Sequence, residues 1–171
     1  MNKFLNFRYL LVAFLVAASL QSNAQATDDQ VKTVFVFNFT RYIQWPTNES
    51  DFTIGILGND AALEKAFLDM ASKKSTSTKK IIIKSFTSAS EAGNCDILYI
   101  PKDHSAQFSQ VKAKDLKNVL IITEKAGLGR QGSGINFIEV DGKMRFEINK
   151  GEIERAGLKV SSQLLGLANE V

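Results

Sequence analysis

INFIEVDGKMRFEI, residues 135 to 148, decides the fold, because two runs of alternating side chains meet there at Asp141-Gly142. Asp-Gly suits a two-residue turn that needs positive φ at both positions. Pairing the runs about that turn sets Asn136 opposite Glu147 and Phe137 opposite Phe146. Successive side chains in a strand point to opposite faces. One face therefore carries Ile135, Phe137, Met144, Phe146 and Ile148, and the other Asn136, Arg145, Glu147 and Asn149 with Ile138 and Val140. The second face mixes charge with apolar surface. It reads either as the solvated side of an edge hairpin or as a recognition surface.

Upstream of the hairpin, FTIGIL (52–57), KIIIKSF (80–86), DILYI (96–100) and NVLIIT (118–123) are short apolar runs rich in β-branched residues and bounded by turn formers. Such runs read as buried strands. Helical stretches are expected between them over 61–72, briefly near Ala89, and over 105–115, with a last helix over 161–168. Strands alternating with helices give an α/β fold: a mostly parallel sheet covered by helices on both faces, with the C-terminal antiparallel hairpin at one edge. Residues 31–45 alternate like a strand in VFVFNF, yet Val31, Phe35, Phe39 and Tyr42 also form a helical stripe. The length of the run and Pro46 behind it favour a helix, with the aromatic residues turned to the core. No internal repeat or low-complexity linker interrupts 27–171, so a single domain is expected there.

Residues 1–26 have Lys3 and Arg8 before an apolar run from Tyr9 to Leu20, then a polar stretch ending Ala24-Gln25-Ala26. This is the pattern of a cleaved secretory signal peptide, and the run is shorter than the roughly 20 residues of a membrane span. A periplasmic product starting at Thr27, with no stable membrane insertion after cleavage, is the expectation. The whole chain has 21 Lys and Arg against 18 Asp and Glu; losing Lys3 and Arg8 leaves 21 − 2 = 19 against 18. That balance leaves no whole-domain field for nucleic acid. The basic cluster KKSTSTKK (73–80) lacks the interleaved aromatic residues that stack on bases. Cys95 is the single cysteine, so no internal disulfide can form.

Catalytic chemistry finds little support. Gly127-Leu-Gly-Arg-Gln-Gly132 matches G-x-G-x-x-G, but it leads into a strand rather than a helix, so no helix terminus would face a pyrophosphate. It reads instead as a mobile loop carrying Arg130 and Gln131 beside the hairpin. His104 and Cys95 lack spaced partners for zinc, and Cys95 reads as a packed thiol. Ser133 lacks the strand-to-helix setting of a nucleophile elbow. Glu152 and Glu154 fall on an exposed helical turn. No catalytic residue, cofactor or metal is assigned, and the domain is read as a non-enzyme. A small-ligand receptor is the rival reading, with a pocket at the carboxyl edge of the parallel strands near Gly58 and the 127–134 loop.

Several motifs together resemble the YfiR-type family of exported bacterial domains. They are Val31-Lys-x-x-Phe-x-x-Asn-Phe-x-x-Tyr-Ile-x-Trp-Pro46, FTIGILG, CDILYI, Gly132-x-x-Ile-Asn-Phe137, Arg145-Phe-Glu-Ile-Asn149 and Ala156-Gly-Leu-Lys-Val-Ser-Ser-x-Leu-Leu165, in order across the mature chain. The resemblance implies a periplasmic, non-catalytic α/β regulator. Its best-understood relatives repress a membrane-bound diguanylate cyclase through the cyclase's periplasmic part, and an outer-membrane-linked lipoprotein can sequester the repressor. By motif, the partner-binding surface would include Phe137 and Glu147, with Ile153 just beyond; the polar hairpin face adds Arg145 and Asn149. The implied partner is the extracytoplasmic region of a membrane-bound signalling protein, and the sequence leaves open a homodimer. Relatives often carry several cysteines, so redox control through internal disulfides is one feature this chain cannot share.

Overall fold

The computed structural model describes residues 27–46 and 51–171. The expected signal peptide, 1–26, lies outside the described residues. Helix α1 (Asp28–Tyr42) starts at a capping box in which the Thr27 side chain accepts from the Gln30 amide and the Gln30 side chain accepts from the Thr27 amide. The helical reading of this segment holds, but the helix stops at Tyr42. Ile43–Gln44 (β1) peels away to pair antiparallel with Lys159–Val160 (β8), so Trp45 is not on the helix.

The main sheet is built from β2 (Asp51–Leu57), β3 (Lys80–Phe86), β4 (Ile97–Ile100), β5 (Leu120–Thr123), β6 (Ile135–Val140), β7 (Lys143–Ile148) and β9 (Asn169–Glu170). Its order is β3-β2-β4-β5-β6-β7-β9, parallel from β3 to β6, antiparallel between β6 and β7, and parallel again between β7 and β9. The hairpin register is the expected one, Asn136 opposite Glu147 and Phe137 opposite Phe146. Asp141 (φ 51°) and Gly142 (φ 68°) both take the left-handed conformation the turn requires. KIIIKSF is not an interior strand: β3 forms the outer edge, and its three isoleucines are only half buried.

Alternate residues of the central strands feed two cores. Ile97 and Tyr99 join Ile54, Ile56, Ile122, Ile135 and Phe137 under α1, α2 (Ala61–Lys74) and the C-terminal helices α4 (Lys150–Arg155) and α5 (Ser162–Leu165). Leu98 and Ile100 face the other way, where Phe86, Ala89, Phe108, Val111 and Leu128 cover them. Phe86 ends β3, and the others come from a short 3₁₀ turn, α3 (Phe108–Lys112) and the loop after β5. Helix α2 shows how the sequence achieves this. Asp60 caps the Ala62 and Leu63 amides, Lys73 and Lys74 close the last turn, and Leu63, Ala66, Phe67 and Met70 form its buried stripe. The last helix is shorter than 161–168, because the chain turns after Leu165 to lay β9 beside β7.

Candidate functional site: an arm over a groove

Strand β6 is held by β5 only at Ile135 and Asn136, whereas its pairing with β7 runs on to Val140 opposite Lys143. On the far side, β9 reaches only Glu147 and Ile148. The distal half of the hairpin, residues 138–145, therefore projects past the sheet as a two-stranded arm. Its surface carries Glu139, Lys143 and Arg145 around a Val140 that is 40% exposed. Both strand edges of the arm are unpaired among the described residues.

Beneath the arm lies an open groove of about 890 Å³ at the carboxyl edge of the parallel strands. Phe137, Ile138 and Met144 form its apolar side, Asp28 and Lys32 of α1 the opposite side, and Lys102, Glu124 and Lys125 the end of the sheet. The floor is organised by Glu124, the first residue after β5. Its Oε1 accepts from the Tyr99 hydroxyl at 2.6 Å, and its Oε2 accepts from Lys32 Nζ at 2.8 Å. The Lys32 and Glu124 side chains are only 17% and 12% exposed, so this pair is far drier than a surface ion pair. Asp29 adds a second, longer contact to Lys32 at 3.5 Å. Burial by itself would lower the Lys32 ammonium, but the bond to Glu124 and the charges of Glu124 and Asp29 outweigh it, and the net shift is upward. The Tyr99 phenol is pushed well above its ordinary range, first by burial and then by the Glu124 charge.

A second polar chain crosses the sheet on the opposite face. Thr123 Oγ1 donates to Asn136 Oδ1 at 2.7 Å, and Asn136 Nδ2 donates to Glu147 Oε2 at 2.9 Å, along three neighbouring strands in register. The 127–132 loop closes over this chain. A Cβ at Gly129 would stand 2.6 Å from Glu147 Oε2, and the Gly129 carbonyl accepts from Asn149 Nδ2 at 3.0 Å. Leu128 is buried in the smaller core, Ser133 Oγ donates to the Ile121 and Ile135 carbonyls, and Lys112 Nζ donates to the Gln131 carbonyl. The loop expected to be mobile is tied to strands and helix at each of these points.

The five residues assigned to the partner surface thus fall in different places. Arg145 is exposed on the arm. Glu147 is half buried under the glycine loop, and Asn149 caps α4 through the Glu152 amide at 3.1 Å. Phe137 and Ile153 are 4% and 1% exposed. Phe137 packs among the rings of Phe35, Phe39 and Tyr99, because its strand face is the core face. Ile153 fills the space above Gly134 and Leu120. Neither presents its side chain outward, although Phe137 forms part of the groove wall. The expected crevice ran from Gly58 to the 127–134 loop; at its first end Gly58, at φ 109°, lies against the His104 imidazole. The cavity opens two strands further along instead.

The Lys32–Glu124–Tyr99 constellation escaped the reading of motifs, although two signals point to it. Glu124 immediately follows an apolar strand, at the edge where α/β folds bind ligands. Tyr99 lies within a fully buried strand, where a phenol requires a partner. The arrangement fixes charge in place. Cys95 is no activated nucleophile, since burial pushes its thiol up to about 12. Among the described residues no group of His, Cys, Asp or Glu is placed to hold a metal ion.

The family model for YfiR/HmsC-like proteins matches residues 29–169. The chain belongs to the YfiR/HmsC-like family. No curated protein matches it significantly. Two solved structures share the fold of this YfiR/HmsC-like chain. One is a conserved domain protein from Vibrio cholerae O1 biovar El Tor, with a TM-score of 0.57 and 11% identity. The other is the ABC domain in complex with L-Trp from Streptococcus pneumonia, with a TM-score of 0.56 and 13% identity. Each match covers 84% of this chain but only 60% of the other, so the chain spans less than two thirds of these structures. No helix among the described residues is long and apolar enough to cross a membrane.

Proposed function

We propose that this YfiR/HmsC-like protein is a non-catalytic periplasmic regulator that docks on the extracytoplasmic region of a membrane-bound signalling protein, a diguanylate cyclase by family resemblance, and holds it in its inactive state. Family membership suggests the periplasmic regulatory role. The observation that carries the docking surface is the arm: a strand pair free on both edges, with Val140 exposed among Glu139, Lys143 and Arg145. An outer-membrane-linked lipoprotein competing for the same arm would relieve repression. Repression is a difference in affinity between two partner states, and each tenfold shift in activity requires about 1.4 kcal/mol of preference.

Coexpression with a membrane-bound diguanylate cyclase of the same cell tests this. Wild type should copurify with the cyclase and lower cyclic di-GMP, and Arg145→Glu with Val140→Asp should lose copurification and restore cyclic di-GMP by about tenfold or more. Unchanged binding and repression by that folded double variant would exclude the arm.

A second reading is favoured by the groove, whose volume lies within the range of about 300–1,000 Å³ usual for small-molecule sites. Its fixed carboxylate, flanking lysines and apolar wall suit a small zwitterion. Thermal shifts with amino acids, nucleotides and sugars, repeated on Glu124→Gln, check this reading, and a melting temperature indifferent to all of them sinks it.

A further inference from the structure

At the opposite edge of the sheet from the arm, we infer a second interaction surface: the outer edge of β3 takes up an extended, acidic segment of another protein as an added strand. This inference is independent of the reading of the arm and groove.

Backbone direction comes first. The Ile81 amide points outward, where it donates to Ser75 Oγ at 2.9 Å, while the Phe86 carbonyl points inward, where it accepts from the Gly58 amide at 2.8 Å. Alternation along a parallel strand then turns the amide and carbonyl of both Ile83 and Ser85 outward. No strand among the described residues pairs with that edge. These are the groups that strand addition uses.

Charge supplies the chemistry of the partner. Lys80 and Lys84 stand on β3 itself, both are exposed, and neither forms a salt bridge among the described residues. Asp51, opposite Lys80 in the register, Asp69 on α2, and Glu91, whose Oε2 accepts from the Thr87 amide just past β3, are the acids close by. Lys74 lies over the Phe37 ring of α1 at 5.1 Å and Lys79 over the Phe52 ring of β2 at 5.2 Å, so both reach inward over the larger core. Lys80 and Lys84 share the other face of β3 with Ile82 and Phe86. A planar anionic surface has no backbone to pair with the outward amides and carbonyls of Ile83 and Ser85. An extended chain with carboxylates at alternate positions pairs with those groups and presents its carboxylates to the face of Lys80 and Lys84. Lysines on an edge strand also deter indiscriminate pairing, which restricts the surface to an acidic partner.

Fluorescence anisotropy with a short labelled peptide of alternating glutamate and valine tests the inference on the mature domain. Saturable binding is expected, weakened about tenfold or more by Ser85→Pro, which removes one outward amide at an edge where proline is tolerated. Lys80→Glu with Lys84→Glu should weaken it similarly. If Ser85→Pro fails to fold, slowed exchange of the Ile83 and Ser85 amides in the wild type on adding the peptide reads the same contact. No uptake of the peptide, or equal uptake by a folded Ser85→Pro variant, overturns the proposal. Attachment to phosphatidylglycerol vesicles without peptide uptake also overturns it and assigns the lysines to a membrane.

Discussion

Tyr99 and Lys32 both hold their protons more tightly in the folded chain than in the unfolded one: burial and the Glu124 charge raise the phenol, and at the ammonium the opposing effect of burial is outweighed by the bond to Glu124. The sign of the linkage follows. A group whose pKa is raised on folding contributes stability in full below its unfolded value, near 10.0 for the phenol and 10.5 for the ammonium. That contribution is lost as pH rises through the folded values. Urea unfolding should therefore find wild type more stable than Tyr99→Phe by about 2 kcal/mol at pH 8, the magnitude of a hydrogen bond to a charged group. The gap should shrink above pH 10. A gap that stays constant up to pH 11.5 would mean the Tyr99–Glu124 bond does not carry the difference. In the sequence each of these residues looks ordinary. Lys32, Tyr99 and Glu124 come from three distant segments, and only the parallel packing of β4 against β5 with α1 alongside brings them together.

At the scale of elements, Asn149 joins two pieces that the sequence treats separately. Its Oδ1 accepts from the Glu152 amide to start α4, and its Nδ2 donates to the Gly129 carbonyl to hold the glycine loop. Asn149→Ala should cost about 1–2 kcal/mol, the combined loss of a cap and a partly buried bond. For a domain of this size that lowers the melting temperature by about 5 °C. Asn149→Asp keeps the cap and loses the donor, so calorimetry on both variants divides the two contributions. An Asn149→Ala melting curve that overlays wild type would show the loop to be held by Leu128, Ser133 and Lys112 alone. The hairpin was legible because its turn chemistry and its alternation agree on one register. The loop before it was not, because four glycines in sequence suggest freedom. The bonds that remove that freedom come from Lys112 on α3 and from Asn149 beyond β7.

At the scale of the whole molecule, the α/β class and the parallel core were readable from four apolar runs spaced by helices. The edges were not. KIIIKSF reads as interior by composition, yet the crossover from β3 to β4 places β4 on the other side of β2, leaving β3 outermost. Nothing local reveals that the last residues return as β9, a two-residue strand whose pairing depends on α5 ending early. The consequence is a gradient of protection across the sheet. Every residue of β4 is buried, and the strand is flanked on both sides by parallel neighbours. The arm is bonded only to itself beyond Asn136. Amides that open only through global unfolding should cluster in β2, β4 and β5, while those of the arm open by local fraying. Hydrogen exchange at neutral pH should find the arm amides between Val140 and Lys143 exchanging ~100-fold or more faster than those of Leu98 and Tyr99, a gap of roughly 3 kcal/mol in opening free energy. Binding of the proposed signalling partner should slow the arm amides and leave β4 unchanged. If the arm is as protected as β4 in the free protein, it is no loosely held extension, and the docking surface must be sought elsewhere.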